Sequence, residues 1–399
     1  MKSFSGIVWL AVAGAPAVAK PIFCDKDSGF GWSRLSEPSV FDKAVKSPCL
    51  LLRVSRNTAA LNQPSAIDPA AGRDASPTLN AAAVSLLTGL LENPARFAAE
   101  VHHRGGCRVI DCGVSASGGN RLGILLARAA LGGRGEVRLQ DTAKGTPLEQ
   151  VWPECPWPVV EVASTDPVAA CLGAQYAGWK VDEGGYFAMA SGPLRAAIGG
   201  EPLFDTIGGR ERPAVAVGLL ESGQLPPEQV CRRLADRAGV APDGLILLVA
   251  ATASPAGTLQ VVARSLETAL HQLHERQFDL GRIVAGRAAA PLPPVAAADL
   301  AAIGMTNDAI LYGGFAQLEV VGDDASLDLI GPQIVSSHSP AHGQPFGELF
   351  KQANGDFYAL DPALFAPAVV EFINRDTGRC CRFGQIEAEV VARSFSAAG

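Results

Sequence analysis

From about residue 77 the apolar positions follow two alternating rhythms, short unbroken runs and longer stretches at helical spacing. That alternation predicts an α/β fold. Leu79 to Val101 reads as an opening amphipathic helix. "CRVIDCGV" (Cys107–Val114) reads as a strand that enters a glycine-rich turn, Ser117–Asn120. A helix follows from Arg121 to Leu131, closed by Gly132, Gly133 and Gly135, as glycine serves where φ must be positive. Val159–Ala163 is a predicted strand, and Asp166–Tyr176 a helix with Thr165 or Asp166 at its start. A second block opens near Ala214. "AVAVGLLES" is a strand, Pro227–Ala238 a helix with proline in its first turn, and "LILLVAAT" a buried strand. One long helix is expected from about Gly257 to Gln277, then a rigid proline-rich connector or pocket edge over Ala288–Ala298. "VVEFIN" and "CCRF" flank Arg375–Arg379, a hairpin signal. No solenoid-type repeat is visible. The texture divides the chain into an extension over 1–75, a first α/β domain over 76–212 and a second over 213–399, with the C-terminal part returning to the first as an alternative.

The extension changes the picture least. Met1-Lys2, the apolar run Ile7–Ala19 and the ending Ala17-Val18-Ala19 resemble a secretory signal, too short to span a membrane. The competing and preferred reading is a non-native or disordered extension, because the following stretch 55–77 is rich in Ala, Pro, Ser and Asn without sustained period. The cysteines support it. There are nine, an odd number, with no C-x-x-C pair and with Cys380 and Cys381 adjacent, a poor layout for disulfides and a natural one for reduced thiols in the cytoplasm.

At 399 residues, 48% of them hydrophobic, the chain can bury two compact domains. The net charge of −7, with basic residues scattered, argues against nucleic acid as the main partner. It leaves room for a small anion in a local nest. Six histidines give an all-histidine metal site little material.

The stretch "TLQVVARSLETALHQLHERQ" carries the densest candidate chemistry. On a helical wheel Val262, Leu266, Ala269 and Leu273 fall within about 60° of one another. Gln260, Arg264, Glu267, His271 and His274 occupy roughly 80° opposite them. Arg264 and Glu267, three residues apart, are expected to touch, and a guanidinium there would keep the carboxylate ionised as a base for water. Such a polar face is ordinarily just a solvated one. Glu267, His271 and His274 also share a face that would suit a metal.

Other signals are weaker. The turn at 113–119 is not G-x-G-x-x-G, and there is no Walker lysine motif and no G-x-S-x-G elbow. The turn could hold an anion on free backbone N–H groups or be only a tight connection. "YFAMASGPLRA" (Tyr186–Ala196) and "TNDAILYGG" (Thr306–Gly314) read as loops at element ends, where binding groups gather.

Taken together, "SPTLNA" (Ser76–Ala81), "VIDCGV", "ACLGAQYAGW" (Ala170–Trp179), "FAMASGP", "QVVARSLETALH" (Gln260–His271), "MTNDAILYGG", "HGQPF" and "NGDFYALDPALFAPA" (Asn354–Ala368) resemble the methenyl-tetrahydromethanopterin cyclohydrolases, nearest to their bacterial, formaldehyde-oxidising branch. The resemblance covers 76 to about 396, in order and without large gaps. It implies a cytoplasmic homotrimer of two-domain α/β subunits with the reduced pterin in an interdomain cleft. The implied reaction is hydrolysis of the N5,N10-methenyl carrier to the N5-formyl form in methylotrophic one-carbon metabolism, with no cofactor, no metal, no nucleic acid and no membrane partner. The family's essential arginine and glutamate fall on Arg264 and Glu267. The substrate contacts expected are Tyr176, Ser191, Gly192, Pro193, Ser254, Asn307 and Asp308. Two positions depart: family members usually carry proline at Ala251, and some archaeal ones carry lysine at Tyr176. Rival readings are a non-catalytic pterin-binding homologue, a metal-dependent hydrolase using His271 and His274, and a folate substrate.

Overall fold

A computed structural model describes residues 77–354 and 359–396. The signal-like run and the extension expected over 1–75 lie outside the described residues, as do positions 355–358 of the "NGDFYALDPALFAPA" motif.

Twelve strands form two mixed sheets among the described residues. They are β1 (Glu100–Arg104), β2 (Cys107–Gly113), β3 (Glu136–Gln140), β4 (Val159–Ser164), β5 (Trp179–Glu183) and β6 (Tyr186–Ser191). Then follow β7 (Ala216–Glu221), β8 (Leu245–Ala250), β9 (Ile283–Pro291), β10 (Phe315–Val320), β11 (Val369–Asn374) and β12 (Cys380–Gly384). The first sheet has the order β1-β2-β8-β7-β6-β5, with β2, β8 and β7 mutually parallel. The second has the order β12-β11-β10-β9-β4-β3, antiparallel except for β10 with β11. The α/β expectation therefore holds.

The helices are α1 (Leu79–Glu92), α2 (Asn120–Ala130), α3 (Leu194–Ile198), α4 (Leu203–Ile207), α5 (Glu228–Ala238) and α6 (Pro255–Val262). They continue with α7 (Ser265–Glu275), α8 (Asp299–Leu311), α9 (Asp324–Ile330), α10 (Phe346–Gln352) and α11 (Ala388–Ser396). Leu87, Leu90, Leu122 and Leu126 of α1 and α2 pack on Ile110, Leu219 and Leu248 of the first sheet. Val230 and Leu234 of α5 cover its other face, against Val109 and Leu247. β8 is buried at all six positions, which is why its sequence is an unbroken apolar run. On the second sheet, α7, α8 and α11 bury Leu266, Leu273, Ile310 and Val391 against Val160, Leu318 and Phe372.

Several predicted elements change. The opening helix ends at Glu92, because Pro94 cannot continue it; Asn93 accepts from Arg96 N at 3.3 Å, and residues 100–104 pair with β2. The proline-rich connector begins later than expected, since Ala288–Pro291 complete β9 between β4 and β10. The boundary expected between 212 and 213 falls inside the first sheet, between β6 and β7. Local texture placed that cut, whereas long-range pairing builds the sheets.

The chain crosses between the sheets three times: from β2 through α2 to β3, from β4 to β5, and from β8 through α6 and α7 to β9. The second and third crossings carry the site.

Candidate functional site

The long helix expected over 257–277 is two helices. α6 ends at Val262, and Ala263 (φ −65°, ψ 0°) and Arg264 (φ −87°, ψ 4°) leave helical geometry before α7 starts. Neither glycine nor proline causes this break. Gln175 Nε2 donates to the Ala263 carbonyl at 3.1 Å, and the Thr268 hydroxyl donates to the Arg264 carbonyl at 2.8 Å. The Gln175 amide thus takes the place of a helical N–H at the Ala263 carbonyl, whereas the Arg264 carbonyl keeps the Thr268 N–H at 2.9 Å beside the hydroxyl.

The break turns Arg264 away from Glu267, correcting the expected contact. Arg264 is fully buried; its Nη2 donates to Ser191 Oγ at 3.1 Å and forms an ion pair with Glu221 at the end of β7. Glu267 is also fully buried, and neither of its oxygens has a hydrogen-bond partner; Arg264 Nε and Nη1 are likewise buried and unpartnered. The polar face is not a solvated one: Gln260 is 1% and His271 6% exposed.

Burial pushes the Glu267 carboxyl above its ordinary range, against the pull of His271, Arg264 and Arg195, with Glu221 pushing the same way as burial. Burial also raises Glu221, although Arg264 and Gln260 draw it down. Arg264 and Glu221 cancel. One buried carboxylate, Glu267, is left without a counter-charge. An isolated buried charge is costly unless it protonates or meets a cation. The arrangement suits a general base that receives a positively charged ligand.

The second crossing builds the neighbouring wall. Val168–Gln175 winds as a π-helix, in which the Tyr176 N–H reaches the Cys171 carbonyl at 2.7 Å. Such wide turns are frequent at functional sites. Tyr176 stacks on His271, with centroids 5.0 Å apart and planes at 23°, and its hydroxyl lies 3.3 Å from His271 Nε2. Arg195 of α3 lies 4.8 Å over the Tyr176 ring, donates to Leu172 O at 2.9 Å, and pairs with Glu201. Gly192 (φ 90°) takes a left-handed conformation that glycine adopts freely, and its N–H donates to Ala174 O at 2.9 Å. Pro193 follows it, its carbonyl accepting from Asn80 Nδ2 at 2.9 Å.

The structure therefore brings Tyr176, Ser191, Gly192, Pro193, Arg264 and Glu267 to one region. Three expected residues stand apart in role. Ser254 caps α6, accepting from Gly257 N at 3.0 Å and donating to Ala251 O at 2.7 Å. Asn307 and Asp308 lie inside α8, not in a loop, because the apolar run they precede continues a helix already begun at Asp299. Asn307 donates to Ile303 O at 2.8 Å and keeps a buried, unpartnered Oδ1. Both Asp308 oxygens are engaged, accepting from Phe346 N at 2.8 Å and Ser394 Oγ at 2.6 Å.

The turn after β2 is not an empty anion nest. The Asp111 carboxylate fills it, accepting from the N–H groups of Gly113, Val114, Ser115 and Ala116 at 2.7–3.1 Å. Among the described residues no group of three or more His, Cys, Asp or Glu side chains is placed to hold a metal, so Glu267, His271 and His274 do not converge. A surface groove of about 520 Å³ on the second sheet, bordered by Arg134, Arg287, Gln317 and Glu319, holds none of the expected residues.

Sequence reasoning missed Glu221 and Arg195. Glu221 had a signal: it is the acidic residue closing an otherwise apolar strand, at the C-terminal end of parallel strands where α/β proteins place ligands. Arg195 lay within a quoted motif, but only its burial marks it.

Two mixed sheets with a buried, unpartnered carboxylate where crossing segments meet define an α/β protein with a buried ionisable site. More narrowly, the chain belongs to the cyclohydrolase (MCH) family, whose model matches residues 78–395. Among its relatives, the methenyltetrahydromethanopterin cyclohydrolase of Methylobacterium sp. (strain 4-46) is 43% identical over 326 residues, 80% of this chain and 98% of the relative. Those of Rhodopirellula baltica and Methylobacillus flagellatus are 44% identical over 296 residues and 41% over 290, each covering 73% of this chain and 86% of the relative.

Proposed function

We infer that this chain is an enzyme that hydrolyses N5,N10-methenyl-tetrahydromethanopterin to N5-formyl-tetrahydromethanopterin in one-carbon metabolism. Relatives bearing that name across almost their full length support the activity. One observation supports the mechanism: a buried carboxylate, Glu267, left over after Arg264 has been matched by Glu221.

The methenyl carbon lies between two nitrogens and shares a positive charge, so water attacks it without prior metal activation. In this reading the cation supplies the counter-charge that Glu267 lacks. As the C–O bond forms, Glu267 draws off a water proton, and its raised proton affinity makes it the stronger base. The carbinolamine then breaks its bond to N10, which takes up a proton, while the hydroxyl becomes the formyl oxygen on N5. Arg264, held by Glu221 and Ser191, favours the ionised Glu267 without occupying its oxygens. Tyr176, Ser191, Gly192 and Pro193 form the pterin-facing wall; Asn307 enters as a further contact through its free oxygen. No resident cofactor or metal is part of this scheme.

The subunit is read as a cytoplasmic homotrimer acting in formaldehyde oxidation. Seven described cysteines are free, including the adjacent Cys380 and Cys381, which fits a reducing compartment. Among the described residues no helix is long and apolar enough to cross a membrane. The trimer rests on the family likeness, and light scattering tests it.

The deciding experiment follows methenyl absorbance with the methanopterin and folate carriers side by side. Turnover of the first far above the second is expected. Binding without turnover would turn the reading to a non-catalytic homologue.

A further inference from the structure

Hydrolysis of a methenyl cation releases one proton per turnover. Water brings two hydrogens; N10 keeps one, and the other leaves as H⁺. On the reading above, that proton first resides on Glu267, which is 0% exposed and cannot pass it to bulk water directly. One turn further along α7 stands His271, and one turn beyond that Glu275. These three side chains, four residues apart, share one helix face.

They also form a gradient from interior to surface. Glu267 is fully buried, the His271 side chain is 7% exposed and that of Glu275 is 38% exposed. His271 Nε2 lies 3.5 Å from Glu275 Oε1. Toward the interior, His271 is the first of the side chains that draw the Glu267 carboxyl back down against its burial. Tyr176 stacked on the imidazole fixes its ring plane, and its hydroxyl lies beside Nε2.

We propose that His271, with Glu275 as its outlet, relays the product proton from Glu267 to solvent, making the face Glu267–His271–Glu275 a proton exit. The proposal rests on Glu267 being the base. In each cycle the O–H bond to Glu267 breaks as an intervening water takes up its proton and gives one of its own to the imidazole, and another passes from the imidazole to Glu275 and out. No electrons move, and both carboxylates return to their starting state. Imidazole suits the task because one ring nitrogen can accept as the other donates. The ionisable groups around it are Glu267, His274 and Glu275 on α7, Cys171 and Tyr176 from the π-helical crossing, and Arg195 from α3 with its partner Glu201.

The test compares His271→Gln and Glu275→Gln with the parent enzyme in dilute and concentrated buffer, with free imidazole as the added proton carrier. His271→Gln is expected to lower kcat about tenfold or more in dilute buffer while KM for the methenyl carrier stays within about twofold. Added imidazole restores kcat in a saturable way and leaves the parent unchanged. Glu275→Gln, at the exposed end where folding is safe, shows a smaller loss with the same rescue. An unchanged kcat for His271→Gln in dilute buffer overturns the relay. So does a loss that no buffer restores, which would mark the imidazole as packing for Tyr176. An unchanged Glu275→Gln removes that residue as the outlet. Glu267→Gln, assayed alongside, separates the layers: if it turns over normally, the base reading falls and the relay with it.

Discussion

At the scale of single residues, the decisive quantity is charge. Arg264, Glu221 and Glu267 are all essentially out of water, and they sum to one surplus negative charge. Glu267→Gln keeps volume and removes both the charge and the base. A fall in kcat of at least about a hundredfold is expected, with unchanged circular dichroism. Glu221→Gln probes the same balance from the other side. It frees the Arg264 guanidinium to approach Glu267, which lowers that carboxyl's pKa. Protonated at high proton activity and ionised above its pKa, the base should then stay active to lower pH, with a reduced plateau. A pH–rate profile measures both effects, and an acid limb that does not move would show that Arg264 stays clear of Glu267.

At the scale of elements, the site depends on a helix that stops where its sequence gives no reason to stop. The strands β7 and β8 were legible because burial on both faces leaves a nearly unbroken apolar run, and β2 and β4 because apolar residues still dominate them around Arg108, Asp111 and Glu161. Arg264 and Glu267 were legible too, through their motif. Their geometry was not, because one wheel drawn across 257–277 assumes a single phase and the phase breaks at Ala263. What breaks it lies far away in sequence: the Gln175 amide, delivered by the π-helical crossing. β9 was hidden for a related reason, since alanines and a terminal proline become a central strand only when β4 and β10 flank them. Gln175→Leu should therefore leave the Ala263 carbonyl buried without its donor. A loss of about 1–3 kcal/mol in urea unfolding is expected. Activity should fall beyond that, because the displaced break carries Arg264.

At the scale of the whole molecule, three crossings bind the two sheets into one body, and two of them also furnish the chemistry, so stability and site geometry share their supports. Asp308 is a different kind of support. From the middle of α8 it fastens the start of α10 through Phe346 N and the end of α11 through Ser394. Burial lifts its pKa from the usual 3.8 to about 7, with those two hydrogen bonds pulling back down. Below 3.8 the folded and unfolded chains both hold this proton, and the tie contributes fully. Between 3.8 and about 7 the unfolded chain gives up the proton while the folded chain keeps it, so stability falls as pH rises. Above about 7 the loss is complete, on the order of 4 kcal/mol for a gap of this size. Asp308→Asn keeps an acceptor for Phe346 N and offers its amide N–H to the Ser394 oxygen, which donates to Asp308 in the parent, but it does not titrate. Urea midpoints followed from pH 4 to pH 8 should decline in the parent and stay flatter in the variant. Parallel curves would show that Asp308 is ionised across that range, with the positive charge of Arg393 outweighing its burial.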